Sequence, residues 1–310
     1  MKRTEADTRV LRTPDERFKD LPGYAFQPHY AEINGLRVHY LDEGTGSTIL
    51  CLHGVLEWSY SYRKMIPVLA RQHRVIAMDF VGFGRSDKYA DRKQHTFEGH
   101  YEILSAFIDS LGLEQITLVA SDWGAVVGLR AATERPQLFE RLVIMNTTLP
   151  TGDVPLNFTF MLWRQFVDLA PDLPIGRVIS MGVAHGYRIS KREIEAYEAP
   201  FPDSSYKAGA VELPLSLPTN FDDPGAAEIR RTREGLSRWD KPAFVLFSDE
   251  DPMFSKEYRF FRTLIPTAKD QPETIIQGAG HFLQEEKGEE IARHILKFIE
   301  RTPGDSQSRD

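Results

Sequence analysis

The chain has 310 residues, 41% of them apolar and 27% charged, which suits one large soluble domain or a core carrying an inserted lid. A formal charge of −7 argues against phosphate backbones and anionic membranes, so neither nucleic acid nor a lipid surface is expected as a partner. The single cysteine, Cys51, cannot close an internal disulfide. It sits in an apolar run without a catalytic-cysteine signature, and reads as a small buried hydrophobe.

In chain order, the first 18 residues are charged and lack the apolar core of a secretion signal. No apolar stretch approaches the ~18 residues that a membrane helix needs, so a cytoplasmic protein is expected. Residues 29–33 and 36–41 alternate in strand fashion around Asn34-Gly35, a hairpin turn. Residues 48–52 form a continuous apolar strand. Residues 59–72 show helical spacing of Met65, Ile66 and Leu69, and residues 74–78 are a further strand. A helix over 96–111 presents Ile103, Leu104, Phe107, Ile108 and Leu111 on one face. A strand at 115–119, a helix at 124–133 and a strand at 141–145 follow. Short apolar strands alternating with helices predict an α/β fold, with a mostly parallel sheet covered on both faces.

The alternation breaks near Thr147. Residues 148–240 are rich in proline and aromatics, with helical pieces at 160–169 and 191–197. A strand at 243–247, a helix at 256–264, a strand at 273–276 and a helix at 285–300 then restore the pattern. Residues 148–240 are therefore read as a helical cap inserted into one core domain formed by residues 1–147 and 241–310. No repeat or low-complexity block interrupts the chain, and the polar residues 301–310 are read as frayed.

The most informative segment is Ala120-Ser121-Asp122-Trp123-Gly124, where a buried strand turns sharply into a helix. Such an elbow strains its central residue and needs small residues two before and two after it. With Asp122 central these are Ala120 and Gly124, which fit. With Ser121 central they are Val119 and Trp123, which do not, and this disfavours an esterase built on Ser121. A carboxylate at this place can displace a leaving group from saturated carbon and form an ester of the enzyme itself. The competing reading makes Asp122 a helix cap.

Asp251 lies just past the strand at 243–247, and His281 follows the strand that ends near Ile276. The order nucleophile, acid, histidine is that of the α/β-hydrolase fold, and each residue falls where such sheets keep their active sites. His281 can serve as general base for water, and Asp251 can orient its ring. Asp249 and Glu250 compete with Asp251, which is preferred for its offset from the strand. His53-Gly54 follows the strand at 48–52, so the backbone amides of Val55 and Trp123 are the expected oxyanion hole. The loop Gly82-Phe83-Gly84-Arg85-Ser86 lacks the third glycine of a dinucleotide site and reads as a structural turn. Most other histidines, His73 and His294 among them, fall in charged helical or turn segments and are read as solvated.

Together with Arg12-Thr13-Pro14-Asp15-Glu16-Arg17-Phe18, Leu41-Asp42-Glu43-Gly44, Trp58-Ser59-Tyr60-Ser61-Tyr62-Arg63-Lys64-Met65 and Gly280-His281-Phe282-Leu283-Gln284-Glu285, these motifs make nearly the whole chain resemble the haloalkane dehalogenases. The likeness is to the branch whose catalytic acid follows the strand after the lid; Ala199-Pro200-Phe201-Pro202-Asp203-Ser204-Ser205-Tyr206 also resembles that branch. It implies hydrolytic dehalogenation of a small apolar substrate, with halide and alcohol as products and no cofactor or metal. It also implies that two indole N–H groups hold the halide, here those of Trp123 and Trp163, with Phe160 lining the same pocket. A monomer or weak homo-oligomer is expected.

One departure stands out. The family's loop after His-Gly carries glutamate or asparagine followed by proline, whereas this chain has Val55-Leu56-Glu57. Val55 keeps its backbone N–H but offers no polar side chain, and Glu57 compensates only if the loop is rearranged. Two rivals follow. An epoxide hydrolase would share the Asp–His–Asp logic but needs a pair of acidic lid donors; Tyr187, Tyr197 and Tyr206 are present, yet no ring-opening pair stands out among them, and Trp163 favours halide. A weakly active or ligand-binding protein on the same fold would explain Val55.

Overall fold

The computed structural model describes residues 9–170 and 172–304. The readings of a non-signal N-terminus and of frayed last residues fall partly outside these. Eight strands form one sheet: β1 (His29–Ile33), β2 (Leu36–Glu43), β3 (Thr48–Leu52), β4 (Arg74–Met78), β5 (Ile116–Ser121), β6 (Phe139–Met145), β7 (Ala243–Ser248) and β8 (Thr274–Ile276). Their spatial order is β8-β7-β6-β5-β3-β4-β2-β1. The pairs β1–β2 and β2–β4 are antiparallel and all others are parallel.

The sequence explains the arrangement. Strands β3, β5 and β7 are buried along their whole length, as a sheet covered on both faces requires. Hairpin β1–β2 turns through Asn34 and Gly35, both with positive φ (52° and 79°), the backbone of a two-residue turn of this kind. Cys51 is fully buried in β3, and burial pushes its thiol well above its ordinary value, which makes it inert.

Helices α1 (Ile66–Leu69), α2 (Phe97–Ser110) and α3 (Asp122–Glu134) lie between the strands of the first half. Thr96 caps α2 by accepting from the Gly99 amide at 3.0 Å. The helix expected over 59–72 is instead a 3-10 turn at Ser59–Tyr62 followed by the four-residue α1. Pro67 lacks an amide hydrogen to continue a preceding helix, and tertiary bonds fix the turn: Tyr62 donates to the Leu52 carbonyl at 2.8 Å and Tyr60 to that of Pro22 at 2.9 Å.

Between β6 and β7 run α4 (Phe158–Leu169), α5 (Ile175–Met181), α6 (Lys191–Glu198), α7 (Ala208–Ser216) and α8 (Ala226–Ser237). Helix α4 packs on α7 and α5 on α6, whereas α8 packs against α3 on the flank of the sheet. Helices α9 (Glu257–Leu264) and α10 (Leu283–Arg301) complete the fold. A buried ion network fastens α6 to the core: Arg63 pairs with Glu193 at 2.8 Å and with Glu285, while Lys64 reaches Glu285 at 2.6 Å.

The solvated reading fails for His73, which is buried, as are His39, His53, His95 and His100; it holds for His29 and His185, which are exposed, and in part for the half-buried His294. His39 pairs with Asp79 at 2.7 Å, and His73 bonds the Ser47 hydroxyl at 2.9 Å. His95 stacks on His100, and burial lowers these two to about 4 and about 3, so both are neutral at pH 7. Local charge in the sequence did not reveal that the sheet and α2 close over these rings. The loop at 82–86 is structural: Gly84 (φ +48°) lets the chain turn against Asp79, which accepts from the Arg85 amide at 2.8 Å.

Candidate active site

The elbow is built by strain and close approach. Asp122 has φ +47°, costly for a non-glycine residue. Its amide donates to the Asn146 carbonyl at 3.0 Å, and its carbonyl accepts from the Thr147 hydroxyl at 2.8 Å, so the end of β6 pins it on both sides. Gly124 must be small because a Cβ there would run into the backbone of Leu52 and His53. The capping reading of Asp122 does not hold. Ser121 occupies the cap position of α3 without a side-chain cap bond, and the Asp122 carboxylate engages another loop instead. Its Oδ1 accepts from the Val55 amide at 2.8 Å. Trp123, second in α3, has an amide with no partner inside the helix.

His281 follows β8. Its Nδ1 lies 2.9 Å from Asp251 Oδ2, and its Nε2 lies 3.8 Å from Asp122 Oδ2. The other oxygen of Asp251 accepts from the amides of Met253 (2.8 Å) and Phe254 (3.1 Å), which fixes the carboxylate after β7. Asp249 and Glu250 turn elsewhere, to the Gly278 and His185 amides respectively. Burial works against the imidazolium, but Asp251, Asp122 and Glu57 outweigh it and raise His281 to about 9. The His281 amide donates to the Gly182 carbonyl at 2.8 Å, so the segment after α5 bounds the histidine.

These groups open onto a cavity of about 370 Å³. Asp122, Trp123 and His281 lie at its polar end, and Phe160, Trp163, Leu213 and Phe254 are among its apolar walls. Trp123 is stacked on Phe97 (5.9 Å, 11°), and its buried Nε1 has no hydrogen-bond partner among the described residues. Trp58 and Trp239 share that lack, but neither lines the cavity. Trp163 is partly buried beside Phe166. Among the described residues no tyrosine lines the cavity: Tyr197 donates to Glu285 at 2.6 Å, and Tyr187 is engaged with Lys64 at 2.7 Å. That removes the donor pair an epoxide hydrolase would need. Among the described residues no cluster of three or more His, Cys, Asp or Glu could hold a metal. No described helix is long and apolar enough to cross a membrane.

The loop after β3 is rearranged. Leu56 has φ +73°, a conformation closed to proline, and Glu57 turns inward and is buried. Asn146 also escaped sequence reasoning. Its side-chain amide donates to Ser248 Oγ and to the carbonyls of Gly280 and His281, which joins the ends of β6, β7 and the histidine loop.

A sequence-family model of the alpha/beta hydrolase fold matches residues 47–288. A haloalkane dehalogenase of Psychrobacter cryohalolentis is 46% identical over 95% of this chain and 99% of its own. Haloalkane dehalogenase 1 of Mycobacterium tuberculosis is 42% identical over 94% and 99%. The solved structure of the tetrameric haloalkane dehalogenase DpaA from Paraglaciecola agarilytica superposes with a TM-score of 0.86 at 37% identity, covering 93% of this chain and 98% of that one.

Proposed function

The chain belongs to the haloalkane dehalogenases and hydrolyses a carbon–halogen bond, and on that premise we propose which of its residues do the work. Asp122 Oδ2 attacks the carbon bearing the halogen. The new C–O bond forms as the C–X bond breaks, and the halide leaves with the bonding pair. The indole N–H groups of Trp123 and Trp163 receive it, as donors without acceptor lone pairs in an apolar wall. The product is an alkyl ester of Asp122 and free halide.

Hydrolysis follows. His281 Nε2 takes a proton from water while the water oxygen adds to Asp122 Cγ. Negative charge grows on Oδ1, where the Val55 amide already donates and the Trp123 amide joins it. Collapse breaks the Cγ–Oδ2 bond, the leaving oxygen takes the remaining proton of the added hydroxyl and departs as the alcohol, Asp122 is again a carboxylate, and His281 gives its proton to solvent. Esterification also removes one of the anions facing His281, which loosens its hold on a proton and leaves more of the ring in the neutral form that can accept one from water.

The observation that carries this reading is a carboxylate nucleophile and a buried, unpartnered indole N–H in one apolar cavity. Residues 148–240 are the proposed cap, through the cavity walls that α4, α5 and α7 supply, with residues 1–147 and 241–310 as the core. The chain is further read as cytoplasmic and as a monomer or weak homo-oligomer, which sedimentation velocity tests.

The chemistry is tested by bromide release from 1-bromobutane and intact-protein mass spectrometry. His281→Phe should accumulate protein heavier by one butyl group, and Asp122→Asn should not. An alkylated Asp122→Asn protein would remove Asp122 as nucleophile.

A further inference from the structure

Glu57 is a buried carboxylate beside the reacting atoms to which the reaction above gives no work. It is 1% exposed, and no described Lys, Arg or His forms an ion pair with it. Its bonds connect three pieces of the site. Oε2 accepts from the Gly54 amide at 3.0 Å, while the Glu57 amide donates back to the Gly54 carbonyl at 3.3 Å. Side chain and backbone thus close a clasp around Gly54, the residue before the amide that holds Asp122. Oε1 accepts from Gln284 Nε2 at 2.6 Å. Gln284 stands three residues after His281 and also reaches the Ser121 hydroxyl, next to the nucleophile, at 3.3 Å.

The approach is close. A Cβ built on Gly54 would lie 2.7 Å from Asp122 Cβ, 2.8 Å from Asp122 Oδ1 and 2.9 Å from Glu57 Oε2. The two carboxylates converge on one glycine. The left-handed turn at Leu56 brings residue 57 back to this point.

We propose that Glu57 is a positioning residue for the second half-reaction, hydrolysis of the alkyl-enzyme. In the free enzyme the charge on Asp122 itself attracts the Val55 N–H. Once Asp122 is a neutral ester that attraction weakens, yet the amide must stay in place for the oxyanion that forms next. The Glu57 clasp holds the Gly54–Val55 turn without relying on the charge of Asp122. Glu57 also leaves a second carboxylate, beside Asp251, facing His281 after Asp122 has been neutralised, which favours the imidazolium formed when water gives up its proton.

The groups facing Glu57 are His281 from the loop before α10, Asp122 from the elbow, Tyr62 from the 3-10 turn and Tyr197 from α6. Burial is the largest influence on Glu57 itself and raises it to about 7. Its charge therefore changes near neutral pH.

The inference rests on the dehalogenase reading, and one experiment separates the two. Wild type, Glu57→Gln and Glu57→Ala are mixed with 1-bromobutane, with rapid-quench bromide release and intact mass recorded from pH 6 to 9. Glu57→Gln is sterically mild: Gln284 Oε1 is buried without a partner, so a turned Gln284 amide can accept from the new one.

Glu57→Gln should release one bromide per active site at the wild-type rate. It should then turn over about tenfold slower or less, accumulate butyl-enzyme, and lose the rate change near pH 7. Glu57→Ala, where folded, should be slower still. Turnover of Glu57→Gln at the wild-type rate without butyl-enzyme would overturn the proposal, and so would a slowed bromide burst. Absence of bromide from wild type would instead overturn the underlying reaction.

Discussion

His281 Nε2 stands 3.8 Å from Asp122 Oδ2, beyond hydrogen-bonding distance, while the other oxygen of Asp122 is already bound by the Val55 amide. The two carboxylate oxygens are thereby unequal before any substrate arrives. Oδ1 has a donor suited to developing charge. Oδ2 is free to attack, and His281 Nε2 is the ring nitrogen that faces it.

That inequality fixes where oxygen goes. In a single turnover in ¹⁸O-labelled water, the alcohol should leave with unlabelled Oδ2, and the peptide bearing Asp122 should gain one ¹⁸O. Mass spectrometry of the alcohol and of that peptide checks this. Labelled alcohol with an unlabelled peptide would mean direct attack of water on the substrate, with no ester formed.

The halide site gives a second expectation. Removing one N–H donor to a desolvated anion costs about 1.5–3 kcal/mol, roughly 10- to 100-fold in affinity. Bromide should therefore inhibit Trp123→Phe and Trp163→Phe more weakly by about that factor, with kcat/KM lowered in both. The Trp123 variant should lose at least as much, because its indole is held rigidly against Phe97. Unchanged bromide inhibition in the Trp163 variant would return that residue to simple packing in the cavity wall.

What was readable in the sequence was periodicity and frame. Ala120 and Gly124 bracket Asp122, and the structure shows why: the chain turns at φ +47° with the Leu52 carbonyl against Gly124. Burial of histidines was not readable, since His39 and His73 owe it to Asp79 and Ser47, which lie 40 and 26 residues away. The inward turn of Glu57 was hidden for another reason. It depends on a left-handed leucine, a conformation that leucine does not advertise.

Stability should depend on pH through His281. Its folded-state value of about 9 lies above the ~6.5 of a free imidazole. It therefore contributes stability that is fully present below about pH 6.5 and is lost as pH rises through about 9. Glu285 acts in the opposite sense. Although burial opposes its ionisation, Arg63 and Lys64 hold it below its ordinary value, so its contribution is lost as pH falls into the carboxylate range. Thermal melts from pH 4 to 10 should show a plateau falling at both ends, and His281→Gln should flatten the alkaline limb. An unchanged alkaline limb would assign it to other groups.

Leu56→Pro tests the rearranged loop directly. Proline fixes φ near −65°, whereas Leu56 sits at +73° and is buried. To accept proline, the segment from Gly54 to Glu57 must rebuild, which pulls Glu57 Oε2 from the Gly54 amide and the Val55 amide from Asp122. The cost should be about 3 kcal/mol or more, a fall in melting temperature of several degrees for a chain of this size. Leu56→Asn tolerates the left-handed region and should lose mainly apolar burial, about 1.5–3 kcal/mol. A melting temperature for Leu56→Pro equal to wild type would show that the loop accommodates the right-handed or extended backbone, and that the inward place of Glu57 does not depend on this turn.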